Sequence, residues 1–529
     1  MNFTSFIFLF FLVVLFFLYY LTPKKGRWIV LLVASLLFYV LASWKSIFFI
    51  LFTTASTYWV SLAIEKNKRK EKEWLVLHKE DAMEEKKEYK KKSKKKRKAW
   101  LTLGILAIVI VLAVMKYLNF ILGNVNGILR LFQSPFRFSL VKLFLPLGIS
   151  FYTFQAIGYL ADIYWGKYPI EKNFFKFLLF MSFFPKIMQG PIIRYNEVYL
   201  TLLNGNEFDY DQFTDGLKRM IWGYFKKVVI ANCFVVFTSY GFHHVEEISG
   251  LEAWITIIMY FIYDYCDFSG YMDIALGVSQ SLGVKMPENF NHPYFAKGID
   301  DYWRRWHMTL GTWFKDYIFY PLSISKFSMN LGKKSKKIFK KSANKIPAIF
   351  GLILVWLLTG LWHGASWNYI LWGLYFGFII ILGIIFEGPF THFYAKKGIN
   401  RENTGLNIMR HIRTLILLAI GKILFETSSI HATLEFLEAL FEPEYFFSFH
   451  HLQALLGFPS IIVSSVASVI VLMVDCIQER HPDTTFIQKT KNWHIVFQWA
   501  AFIGLIVCVI WFGYYGDGLP KYEFGYVRF

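Results

Sequence analysis

From Ile346 to Phe386 the chain runs 41 residues without Asp, Glu, Lys or Arg. At about 1.5 Å of rise per residue this is enough to cross some 30 Å of hydrocarbon twice. In lipid, backbone amides and carbonyls must be satisfied within the chain, so the run is predicted to be helical, as spans 347–362 and 366–386. One ionisable residue interrupts it: His363, in Thr359–Trp367 (TGLWHGASW). It follows Pro347 by roughly 24 Å of helix, past the middle of a bilayer. Gly360 and Gly364 beside it permit a backbone break or a close approach. An ionisable side chain at that depth is costly and is usually kept for a wet cavity or for chemistry.

The rest of the chain follows the same pattern. Hydrophobic residues make up 55% of 529, charged residues only 18%, and mean hydropathy is positive. Further apolar runs near 3–22, 28–44, 47–64, 100–122, 143–164, 174–192, 217–240, 252–276, 409–425, 459–475 and 495–515 predict an all-α, polytopic integral membrane protein. The domain is expected to be single, over 1–529. Asn2–Pro23 lacks the basic n-region of a signal peptide and is expected to remain as the first transmembrane helix. Cys233, Cys266, Cys476 and Cys508 have neither disulfide nor zinc spacing.

The net charge of +20 is strongly clustered. Residues Glu65–Ala99 hold sixteen Lys or Arg against eight acids, and Lys326–Lys345 holds eight Lys and no acid. Basic loops beside apolar segments mark the cytoplasmic side and attract anionic headgroups, so a nucleic-acid partner is not expected. Lys24, Lys25 and Arg27 lie two crossings before the 65–99 stretch, which puts both inside and the N-terminus outside. Glu65–Ala99 reads as a charged cytoplasmic hairpin or linker.

Between 145 and 345, Pro146, Gly148, Pro185, Gly190, Pro191, Gly270, Gly277 and Pro287 interrupt the apolar runs, predicting short, broken or re-entrant helices around a cavity. A second histidine, His307, sits there in Asp301–Leu310 (DYWRRWHMTL), with Arg304 and Arg305 able to pair with Asp300, Asp301 or phosphate. Asp264, Asp267 and Tyr271 share one helix face. With Asp162, these carboxylates are expected to pair with Arg304, Arg305 or Arg194, or to orient an imidazole. Neither histidine has metal-ligand spacing, and no bound metal or cofactor is expected.

Several segments together resemble the membrane-bound O-acyltransferases (MBOAT): Pro146–Gln155 (PLGISFYTFQ), Phe183–Arg194 (FFPKIMQGPIIR), Asp267–Asp273 (DFSGYMD), Tyr302–Leu310 (YWRRWHMTL) and Gly360–Asn368 (GLWHGASWN). They are most similar to the bacterial branch of alginate O-acetyltransferases and teichoic-acid D-alanyl transferases. The ending Tyr522–Phe529 (YEFGYVRF) is also similar to the alginate-type members. The resemblance implies a helical bundle around a funnel, with His363 as the essential histidine and His307 as a second active-site residue. It implies acyl-CoA or another cytoplasmic thioester as donor, and transfer to a hydroxyl on the outer side. The 65–99 insertion departs from the family's pattern.

On this basis the chain is expected to move an acetyl group from acetyl-CoA to an exported polysaccharide, directly or through an extracytoplasmic acetyl carrier protein, in the bacterial plasma membrane. His363 would act as base. His307 or an indole N–H of Trp303, Trp306, Trp362 or Trp367 would stabilise the oxyanion or orient the thioester, with Asn368 a further binding candidate. Arg304, Arg305 and Lys315 are candidate phosphate contacts. The rival readings are a D-alanyl or lipid acyl transferase of the same fold and a His/Asp proton-coupled transporter, although no repeat symmetry is visible.

Overall fold

Each long apolar run forms a helix. The computed structural model describes residues 1–442, 446–447, 451–482 and 485–515, without the side chains of 338–339, 341–342 and 451–459, so the 522–529 motif lies outside the described residues. Eight of the described helices are long and apolar enough to cross a membrane, among them Ser46–Leu77, Met83–Leu131, Tyr210–His243, Ala343–His363 and Trp367–Lys396. The molecule is an all-helical, multi-pass membrane protein.

The chain groups into two compact units: residues 1–214 with 278–287, and 215–277 with 288–529. In the first, the expected spans at 143–164 and 174–192 are shorter than the hydropathy suggested. Gly148 adopts a left-handed φ of 71°, and a Cβ there would meet the Ile187 carbonyl oxygen at 2.6 Å, so the helix starts only at Ile149 and runs to Trp165. The next helix, Phe174–Ser182, ends just before the turn that holds Pro185, whose ring clashes with a preceding helical turn. The charged stretch is a helical hairpin. Trp74 stacks on Tyr89 with ring centres 4.1 Å apart, and Arg97 pairs with Glu71 at 2.9 Å.

The second unit is organised around a glycine seam. The helix Gly250–Ser281 runs without a break through Gly270 and Gly277, where interruption was expected. Glycine there serves close approach instead. A Cβ on Gly223 would meet the Gly270 carbonyl at 2.6 Å, and one on Gly277 would meet the Gly216 carbonyl at 2.6 Å. With the backbones so near, Lys227 reaches Asp267, Lys226 reaches Asp273 at 2.7 Å, and Arg219 joins Asp273 to Glu288. The expected pairing of the buried acids with arginines is thereby corrected: Asp267 takes Lys227, Asp264 takes Lys422, and Asp162 takes Lys167 at 2.7 Å. The Asp267 and Asp264 pairs join neighbouring helices, whereas Asp162 and Lys167 pair locally at the end of one helix.

The seam makes a direct prediction. Gly223→Ala should cost about 1–3 kcal/mol through overpacking against backbone. Gly383→Ala, where an added Cβ meets nothing within 4 Å, should be neutral or slightly stabilising. Thermal unfolding of the detergent-purified proteins checks this, and equal midpoints for the two variants would contradict it.

Candidate active site

Helix Ile346–His363 stops at the histidine, because Gly364 is extended and Ser366 caps the following helix Trp367–Lys396 by accepting from the Asn368 amide. The two helices can lie this close because position 360 has no side chain: a Cβ on Gly360 would sit 2.3 Å from the Tyr369 carbonyl. His363 is therefore held at a helix break, 2% exposed. Its ring packs edge-on against Trp362, Trp372 and Phe425, with centres at 4.8, 4.7 and 5.2 Å.

His363 lines a small cavity of about 30 Å³, open in part to the outside, with Tyr260, Asp264, Tyr302, Trp303, Trp306, Trp372, Phe376, Leu418, Lys422 and Phe425. The walls are mainly aromatic, with one ion pair set into them. Lys422 binds Asp264, and its ammonium lies over the rings of Trp306 and Phe261 at 5.1 Å and of Tyr260 at 5.4 Å. Ring faces and a carboxylate together replace the water that a buried ammonium loses. The Trp303 indole N–H is buried without an acceptor among the described residues. It is fixed between Trp356, Trp372 and Phe376 at 5.1–5.4 Å.

His307 is built differently. It precedes helix Met308–Phe314 with a left-handed φ of 47°, and an antiparallel bridge joins Phe290 to Trp306 beside it. Asn289 anchors the turn: its carbonyl accepts from the Met308 amide at 3.0 Å, and its side-chain amide contacts His307 Nδ1. The imidazole is 2% exposed, edge-on to Phe268 at 5.0 Å and 5.7 Å from Trp362. His307 is not among the residues that line the cavity. Trp362, which touches both imidazoles, connects them.

The remaining sequence candidates divide clearly. Trp303, Trp306 and Asp264 line the His363 cavity. Arg304 is exposed and pairs with Asp300 at 2.9 Å, while Arg305 binds Asp301 and Glu479. Lys315 is exposed, and Trp367 is 55% exposed. Asn368 is buried, donating to the Thr427 carbonyl at 2.8 Å. Tyr271 is fully buried, and Asp267 is taken up by Lys227. Arg194 belongs to the other unit, next to Glu197. Among the described residues, no group of three His, Cys, Asp or Glu side chains suits a metal. Two site residues escaped the sequence reading, Lys422 and Asn289. A usable signal existed for the first: a lysine in one apolar helix and aspartates in another are costly unless they meet.

Residues 170–428 match the model of the MBOAT, membrane-bound O-acyltransferase family. The protein named "Probable alginate O-acetylase AlgI" of Pseudomonas aeruginosa is 32% identical over 444 residues, 83% of this chain and 75% of that one. The peptidoglycan O-acetyltransferase of Helicobacter pylori is 36% identical over 53% of this chain and 54% of its own length. The teichoic acid D-alanyltransferase of Bacillus subtilis is 31% identical over 50% and 65%. The chain belongs to the membrane-bound O-acyltransferase family and is a membrane acyltransferase.

The caged ion pair generates a second prediction. Lys422→Met should destabilise by about 3 kcal/mol, the low end for breaking a buried pair, since it strands a partly buried carboxylate, and the double variant with Asp264→Leu should recover part of that loss. Unfolding midpoints of the three proteins test it. A double variant no more stable than Lys422→Met would show that the two side chains are not coupled.

Proposed function

We propose that the protein transfers an acetyl group from cytoplasmic acetyl-CoA to hydroxyls of an exported polysaccharide, either directly or through an extracytoplasmic carrier, with His363 as the general base. The observation that carries this reading is an imidazole held at a helix break on the wall of an aromatic cavity. Longer coverage by the alginate O-acetylase, 83% of this chain against 50% for the D-alanyltransferase, favours acetyl over D-alanyl transfer.

The acceptor oxygen attacks the thioester carbonyl while His363 takes the hydroxyl proton. A neutral imidazole suits that task. Charge then develops on the carbonyl oxygen. The Trp303 N–H or His307 is the donor that would meet it. Collapse of the tetrahedral species breaks the carbon–sulfur bond, and the proton on His363 passes to the leaving thiolate. The Lys422 ammonium adds a fixed positive charge to the same wall.

The basic stretches at 24–27 and 65–99 support a cytoplasmic location for those loops and an external N-terminus in a bacterial plasma membrane. A cavity carrying only the acyl group between compartments spares both large substrates the crossing. Arg304, Arg305 and Lys315 remain proposed contacts for donor phosphates. Arg304 and Lys315 are exposed, which suits a soluble nucleotide better than a buried acyl chain.

The purified protein incubated with radiolabelled acetyl-CoA should transfer or hydrolyse the label. His363→Ala should lower that rate by about 10²–10⁴-fold, the usual contribution of a positioned base. Expression level and melting temperature should remain unchanged. Near-normal turnover by the variant would remove His363 from the reaction.

A further inference from the structure

We infer that Asn289 fixes the tautomer of His307, making that ring a hydrogen-bond donor through Nε2 and leaving His363 as the only one of the two histidines able to act as base. This rests on the acyltransfer reading for its consequence, but the tautomer follows from geometry alone.

Asn289 is fully buried. Its Oδ1 accepts from the Thr309 backbone N–H at 3.0 Å and from the Thr309 hydroxyl at 2.8 Å. A backbone amide can only donate, so the first bond identifies that atom as the oxygen and fixes which way the side-chain amide faces. The other end of the amide is then the NH₂ group, and it lies 3.1 Å from His307 Nδ1. An NH₂ group donates, so Nδ1 must offer its lone pair. The same Nδ1 is 3.2 Å from Oδ1, but that oxygen already holds two donors, and a proton on Nδ1 would face the NH₂ hydrogens.

The ring is enclosed by Phe268 and Trp362 and faces an amide, not a carboxylate, so it stays uncharged. A neutral imidazole carries a single N–H. With Nδ1 as acceptor, the hydrogen is on Nε2. The local backbone supports the arrangement. His307 occupies the left-handed region, which non-glycine residues tolerate only where the surroundings impose it. The imposing contacts come from the same residue pair, since Met308 N–H binds the Asn289 carbonyl and Thr309 binds its side chain. Asn289 thus sets both the direction of the ring and the placement of its proton. It is a positioning residue: a histidine that presents N–H cannot accept the acceptor's proton, but it can hold a carbonyl oxygen as charge develops there.

Nitrogen-15 NMR of the wild-type protein labelled at histidine decides the tautomer without any assay of activity. The signals lost in His307→Gln should show an unprotonated Nδ1 and a protonated Nε2 across neutral pH. A protonated Nδ1 would overturn the inference. In the activity arm, Asn289→Asp keeps the acceptor for Thr309 but replaces the NH₂ donor by a carboxylate oxygen. Nδ1 then becomes the donor and Nε2 the acceptor. Turnover of acetyl-CoA should fall about 10²–10³-fold, the usual loss of one oxyanion donor, with KM changed less than about threefold. Full turnover in a variant whose NMR shows the reversed tautomer would also overturn it. If wild type instead transfers no acyl group while NMR gives Nε2–H, the acyltransfer reading fails and the tautomer assignment stands.

Discussion

A charge or polar group held among apolar helices must be matched by a partner from the protein itself, because lipid offers none. Much of the second unit follows from that constraint. Lys226, Lys227 and Lys422 each arise in an apolar segment and each reaches an aspartate of the helix Gly250–Ser281. That helix carries Asp264, Asp267 and Asp273 at spacings of three and six residues, a ladder of acids to which three lysines from flanking helices are fastened. The pairing needs short reaches. Glycines 223, 270 and 277 provide them by removing side chains where backbones cross.

The same constraint explains why the two histidines are not equivalent. His363 terminates a helix on the wall of a small cavity that also holds a caged ion pair, so its neighbours are aromatic rings and paired charges. His307 is enclosed by a turn and occupied on one nitrogen by an amide. One ring lies on a cavity wall, while the other is held by an amide. Trp362 packs beside both, with ring centres 5.7 Å from His307 and 4.8 Å from His363.

Much of this was legible in the sequence, for definable reasons. Uncharged runs fixed the helices, because lipid-exposed backbone has no alternative. Pro185 and Gly148 marked real breaks, and His363 stood out by its depth, its flanking glycines and the second histidine. The misread positions were those whose meaning depends on a neighbour. Gly270 and Gly277 looked like helix breakers until their partners Gly223 and Gly216 were seen beside them. Asp264 and Asp267 were assigned to arginines because arginines lay near the motif, yet those arginines stay outside the cavity and hold Asp300, Asp301 and Glu479. Asn289, eighteen residues from His307, carried no signal beyond opening a polar stretch. Sequence shows which residues are expensive to bury, but the partner that offsets the cost is a matter of packing.

The aromatic character of the cavity then has a chemical meaning. Trp303, Trp306, Trp372, Phe376 and Phe425 line the space beside His363 with apolar rings that offer it no competing proton acceptor. In the proposed reaction, an apolar wall would favour the alcohol over water as nucleophile. It also strengthens whatever charge interaction remains, and what remains is Lys422 with Asp264. Asp264 neutralises the lysine, which offsets the cost of burying its charge. Charge appearing on a nearby carbonyl oxygen would meet an ammonium already in place and a tryptophan N–H already oriented, with no solvent to rearrange. Preorganisation of this kind depends on rigidity, and rigidity here comes from close contact between rings, glycine seams and paired charges acting together.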